Sequence, residues 1–108
     1  MEVHQLENFT KGWFIGDFNP TLFLTNEVEV AVKEYKAGDE EAAHYHAIAT
    51  EFTLVLNGSV IMNNEEYHHG SIIKIQPGEV TNFKAITNVQ TVVVKLPCVK
   101  NDKFLAND

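Results

Sequence analysis

The chain has 108 residues, 44% of them hydrophobic, and a formal net charge of -7. This length accommodates one domain with one core. All eight basic residues are lysines, and the acidic balance excludes nucleic acid and anionic membranes as partners, because both bind basic surfaces.

Residues 1–21 are predicted to form an N-terminal arm or edge strand that packs on the body. Four aromatic residues, Phe9, Trp13, Phe14 and Phe18, are spaced among glycines and polar residues. Because exposed aromatics are unusual in a monomer, three roles stay open for them. They form an arm exchanged between subunits, an aromatic wall of a pocket, or ordinary core packing.

Residues 22–97 show the pattern of a single all-β domain. Val28, Val30 and Val32 alternate with charged residues, as in a half-buried strand. Further apolar runs rich in β-branched residues follow at 52–56, 59–62, 71–75 and 91–96. Turn-forming residues separate these runs at 36–39, 57–58, 63–66, 76–78 and 87–88. Many short strands with regular turns predict an antiparallel sandwich or barrel.

Residues 98–108 are predicted to be a C-terminal tail, polar and frayed from Lys100 onward. The single cysteine, Cys98, cannot form an internal disulfide and fits a packing role in a reducing compartment. No leader-like segment is evident and no apolar run reaches the roughly 20 residues that cross a bilayer. We therefore expect a cytoplasmic protein that does not bind membranes.

A cluster of potential metal ligands lies at His44, His46 and Glu51. On a strand, the two histidines point to one face, separated by about 6.5 Å. If residues 47–50 form a hairpin loop, His46 and Glu51 become cross-strand neighbours with Cβ atoms about 5 Å apart. Neutral imidazoles suit iron, zinc, copper, nickel and manganese, and two histidines with one carboxylate resemble the facial triad of non-haem Fe(II) sites.

The spacing around this cluster resembles the first motif of the cupin superfamily. That motif reads here as Gly38, five residues, His44, one residue, His46, four residues, Glu51, six residues and Gly58. The second cupin motif is matched by Gly70, the segment SIIKIQ, and Pro77-Gly78-Glu79-Val80. The two motifs span residues 38–83.

This resemblance implies a small jelly-roll β-barrel, often dimeric, with an interior divalent metal held by three histidines and one glutamate. Thr81 stands where the fourth ligand is expected, while Phe83 fits the aromatic residue that often follows. We therefore expect Fe, Mn, Zn or Ni to be held by His44, His46 and Glu51 with reduced affinity. Thr81 either lines the barrel or donates a hydrogen bond to a metal-bound water or ligand.

The inward positions of the predicted strands define a mainly apolar pocket. Beyond Thr81, its residues are Thr53, Val55, Val60, Met62, Phe83 and Tyr35. His68 and His69 precede a predicted turn, and we expect them to be exposed.

The predicted partner is a small, neutral or weakly acidic organic molecule. The chain has no arginine and few lysines at predicted interior positions, although Lys95 fits either face of its strand, so a strongly anionic substrate is disfavoured. The resemblance allows a metal-dependent enzyme with dioxygenase-like or isomerase-like chemistry. The alternative is a non-catalytic binding or regulatory protein with a degenerate metal site.

A third possibility is an accessory protein that acts through its dimer surface. We expect a homodimer, because the outward-facing Phe52, Leu54 and Leu56 are apolar enough to bury against a second subunit. An opposing layer of the same domain would bury them equally well.

Overall fold

The computed structural model describes residues 1–106, and within them the chain folds almost entirely into strands. The β-branched runs identified in the sequence are strands, because branched side chains fit the pleated, half-buried surface of a sheet. In chain order the strands are β1 (Trp13–Ile15), β2 (Glu29–Tyr35), β3 (Glu40–Tyr45), β4 (Thr50–Asn57), β5 (Ser59–Met62), β6 (Glu65–His68), β7 (Ile72–Ile75), β8 (Thr81–Ala85), β9 (Val89–Leu96) and β10 (Phe104–Leu105).

The strands form two five-stranded antiparallel sheets. The first sheet has the order β1-β2-β9-β4-β7, and the second has the order β10-β3-β8-β5-β6. Successive strands often belong to opposite sheets, so the two sheets enclose one interior, as in a jelly roll. Fully buried Val55, Val60, Phe83 and Val89 form the core between them. The all-β prediction is confirmed.

The N-terminal residues run along the edge of the first sheet. Two short 3-10 turns, Leu6–Asn8 and Thr10–Gly12, lead into β1, which pairs with β2. A side chain at Gly12 would place its Cβ 1.9 Å from the Val32 carbonyl oxygen, so only glycine allows this close approach. Among residues 1–106, no helix is long and apolar enough to span a membrane.

Strand β2 presents its charged face to the interior. Ala31 is 0% exposed, and Glu29 and Lys33 share its side of the strand because alternate residues face the same way. The valines at 30 and 32 occupy the outer face and are half-buried. The alternation was predicted correctly, but the valine face is not the interior one.

The connection between β3 and β4 is not the hairpin predicted from the sequence. β3 pairs with β8 and β10, whereas β4 pairs with β7 and β9. Residues 46–49 therefore carry the chain from one sheet to the other. Both strands face the same interior, so the side chains on either side of the crossing can still meet.

The C-terminal segment is a structural element, and the prediction of a frayed tail is wrong for the described part of it. β10 pairs with β3, with Leu105 opposite His44. Asp102 is 6% exposed, and its carboxylate accepts hydrogen bonds from the backbone amides of the 46–49 connection. Buried Cys98 donates its thiol hydrogen to Glu29 at 3.2 Å. The part of the prediction that concerns residues 107 and 108 lies outside the described residues.

Candidate metal centre and cavity

A cavity of about 470 Å³ opens between the two sheets beside the predicted ligand cluster. It is large enough for a small organic molecule. The residues predicted for the site that line this cavity are Tyr35, His44, His46, Glu51, Thr53, Met62, Thr81 and Phe83. Val55 and Val60 do not line it, because both are 0% exposed and lie in the core.

Both predicted histidine ligands are held in one tautomer by backbone carbonyls. His44 Nδ1 lies 2.9 Å from the Ala42 oxygen, and His46 Nδ1 lies 2.8 Å from the Asp102 oxygen. A carbonyl oxygen only accepts hydrogen bonds, so each Nδ1 must carry the hydrogen. In the neutral imidazole, Nε2 then has a free lone pair, which is the form that binds a metal ion.

Glu51 lies against His46 in the cavity wall. The distance from His46 Nε2 to Glu51 Oε1 is 3.4 Å, which is long for a hydrogen bond. Nε2 is buried and has no hydrogen-bonding partner in residues 1–106. The Thr53 hydroxyl donates to Glu51 Oε2 at 2.8 Å and orients the carboxylate.

The surroundings of the Glu51 carboxyl group favour its ionised form. Its burial raises the pKa, but His46, the Thr53 hydroxyl and Lys95 outweigh burial and hold the pKa below its ordinary value. An ionised carboxylate next to an imidazole with a free lone pair is a donor pair suited to a divalent cation.

The third predicted donor, His44, lies beside His46. The rings of His44 and His46 are 5.3 Å apart and nearly perpendicular. As the side chains lie, no three histidine, cysteine, aspartate or glutamate groups in the described part of the chain converge closely enough to hold an ion. Thr81 pairs directly with His44 across β3 and β8, so a neutral hydroxyl occupies the position of the fourth cupin ligand. The donor set fits a divalent ion in kind.

A tyrosine and a glutamate form a second polar pair in the cavity. The Tyr35 hydroxyl donates to Glu41 Oε2 at 2.5 Å, and the Tyr35 ring packs on Phe83 with centroids 4.4 Å apart. Burial, followed by the bond to Glu41, raises the pKa of the Tyr35 phenol well above its ordinary value. Tyr35 is therefore a neutral hydrogen-bond donor in the wall.

The sequence prediction missed the basic part of the cavity. Lys33 and Lys95 both line it, so the expectation of few interior lysines is wrong. The face of β2 that carries Ala31 also carries Lys33, and the small alanine between charged residues was the signal that this face turns inward. Trp13 and Phe18 also line the cavity. They form an aromatic wall, which is one of the three roles that the sequence left open for the N-terminal aromatics.

The other predicted features lie outside the cavity. His68 is exposed on β6, where it bonds to Ser59 and lies 3.2 Å from Glu66. His69 is exposed as well. Of the outward apolar side chains on β4, Leu56 is 50% exposed.

Comparison with known proteins identifies the fold. No family model matches the chain, and no curated protein matches it. A double-stranded β-helix protein from Klebsiella pneumoniae superposes with a TM-score of 0.70 at 24% identity, covering 78% of this chain and 74% of that one. The DMSP lyase DddQ from Ruegeria pomeroyi superposes with a TM-score of 0.69 at 16% identity, covering 82% and 48%. Oxalate decarboxylase from Bacillus subtilis, a protein with Mn(II) centres, gives 0.65 at 15%, covering 77% and 25%. At these identities the likeness shows the fold.

Proposed function

We propose that this chain, which has the double-stranded β-helix fold of the cupins, binds a divalent metal ion through His44, His46 and Glu51. The ion and the adjoining cavity together bind a small organic molecule. The observation that carries the proposal is the buried Nε2 of His46, which has no partner in residues 1–106 and lies beside an ionised carboxylate. A cation satisfies both groups at once.

The surrounding residues support this role. Asp102 fixes the ring of His46 through its carbonyl, and Thr53 holds Glu51, so the two donors nearest each other each have an orienting partner. A bound divalent ion supplies Lewis-acid polarisation of a ligand oxygen. Thr81, which pairs with His44 across β3 and β8, offers a hydroxyl, and Tyr35 offers a neutral phenol.

Metal analysis tests the proposal directly. Purified protein is loaded separately with Fe, Mn, Zn and Ni, desalted, and analysed for metal content. We expect stoichiometric uptake of at least one metal, and a loss of affinity of about tenfold or more in His46→Ala. His68→Ala is the matched control, because His68 also lies 3.2 Å from a glutamate but is exposed. Substoichiometric binding of all four metals, or equal losses in the two variants, would contradict the proposal.

The alternative function is a binding or regulatory protein that does not need the metal. The absence of three converging ligand groups in residues 1–106 favours it. Thermal-shift measurements with small metabolites in the presence of chelator separate the two functions. An organic ligand that stabilises the metal-free protein as strongly as the metal-loaded protein supports the alternative. The homodimer and the cytoplasmic location stay predictions from the sequence.

A further inference from the structure

The lysines of this acidic protein are concentrated at the cavity. Four of the chain's eight lysines line it, namely Lys11, Lys33, Lys95 and Lys103, whereas only three of its fifteen acidic residues do. The protein carries a net charge of -7, so this enrichment runs against the overall composition. A cleft with an excess of one sign of charge attracts ligands of the opposite sign.

The lysines differ in how far their charge is already compensated. Lys95 lies 3.4 Å from Glu29, and Lys103 lies 3.8 Å from Glu41. Lys33 has no acidic partner within ion-pair distance among residues 1–106. Lys11 has no such partner either, but it is exposed in the turn before β1, whereas Lys33 is half-buried on β2, so Lys33 is the unpaired positive charge in the inner wall.

Trp13 holds Lys33 and Lys95 in place. The ammonium groups of Lys33 and Lys95 lie 5.7 Å and 4.9 Å from the centroid of the Trp13 ring, within the range of a cation–π interaction. Burial lowers the pKa of Lys33; Glu41 opposes this effect, and Lys11, Lys103 and Lys95 add to it. An anion beside Lys33 would offset the cost of burying its charge and the repulsion from the neighbouring lysines.

We infer that the cavity takes a small organic monocarboxylate, with its carboxylate on Lys33 and its apolar body against Trp13, Phe18 and Phe83. Lys33, the half-buried cavity lysine without an acidic partner, matches a single carboxylate, and the aromatic wall suits a hydrocarbon body. This inference rests on the proposed function in one respect, since it uses the same cavity. It does not require the metal, because Lys33 carries its own charge.

The test compares a carboxylate with its neutral amide. Cyclohexanecarboxylate and cyclohexanecarboxamide are titrated into the protein with chelator present, and again after loading with Zn²⁺. Trp13 is the chain's single tryptophan and lines the cavity, so its fluorescence reports binding. We expect the carboxylate to bind about tenfold more tightly than the amide with chelator present, as a charge-assisted contact provides.

Substitutions locate the preference. Lys33→Met should abolish it, while Lys33→Arg should retain it. Lys74→Met is the control, because Lys74 also lies over an aromatic ring, 6.0 Å from the Phe52 centroid, but is exposed on β7 outside the cavity. Equal binding of carboxylate and amide by the unaltered protein overturns the inference without any variant. A preference that survives in Lys33→Met, or that exists only with Zn²⁺, overturns it as well.

The two proposals fail separately. Failure of stoichiometric metal uptake together with a retained, Lys33-dependent preference removes the metal centre and supports the carboxylate site. Stoichiometric metal uptake, together with equal binding of the carboxylate and the amide in the presence of chelator, supports the metal centre and removes the carboxylate site.

Discussion

Asp102 is predicted to anchor the connection that carries His46. Its carboxylate accepts hydrogen bonds from the amides of Ala47 at 2.9 Å, Ile48 at 3.1 Å and Ala49 at 2.9 Å. Ala47 and Ile48 are exposed, so water replaces those bonds after truncation, whereas Ala49 is 3% exposed and its amide stays buried. Asp102→Ala should therefore lower the free energy of unfolding by about 3 kcal/mol. This is a large share of the about 5–15 kcal/mol typical of a domain.

Urea denaturation of the metal-free protein measures this loss, and the melting temperature should fall by roughly 10–20 °C. Asp102→Asn keeps one oxygen acceptor without the charge and should lose about 1–2 kcal/mol. Asp39→Ala is the control, because Asp39 also accepts a backbone amide bond, from Lys36 at 2.8 Å, but in an exposed turn. A loss in Asp102→Ala no larger than that in Asp39→Ala would refute the anchoring role.

Three further predictions concern two cavity residues, Thr91 and Thr81, and the two faces of β4. Thr91→Val should raise the free energy of unfolding by about 1 kcal/mol in urea titrations, because the buried Thr91 hydroxyl has no partner in residues 1–106; a clear loss would contradict this. Thr81→His adds an imidazole where the resemblance to the cupins implies a fourth ligand, and at the proposed metal site it should raise metal affinity about tenfold or more in competition with a chelator; Thr81→Ala should not. Val55→Ala should cost about 2–3 kcal/mol and Leu56→Ala about 0.5 kcal/mol, since Val55 is 0% and Leu56 50% exposed; equal losses would contradict the observed register of β4.

Glu51 shows how a correct prediction was reached by an incorrect route. The prediction that Glu51 approaches His46 used a hairpin between β3 and β4. The two strands instead lie in opposite sheets, and the residues meet across the interior at 3.4 Å. Local spacing places His46 just after β3 and Glu51 near the start of β4. Which strands pair with β3 and β4 depends on contacts between residues far apart in the sequence.

Lys33 shows the opposite case, in which the alternation of β2 was predicted correctly but the expectation of few interior lysines was wrong. Period-two alternation in β2 separates two faces but carries no sign for which one turns inward. In β2 the face that carries Lys33 borders a cavity, and the valine face is half-buried on the outside. The packing of the first sheet against the second decides which face of β2 turns inward.

The sequence by itself determined the all-β class, the cupin-like spacing and the candidate donors at 44, 46 and 51, because strand propensity, turn chemistry and ligand type are local properties of residues. The tertiary structure alone decided the buried contacts of Asp102, the inward lysines and the approach of His46 to Glu51 across the interior. Those features depend on which strands pair and which face each sheet presents, and both are set by packing between residues far apart in the chain.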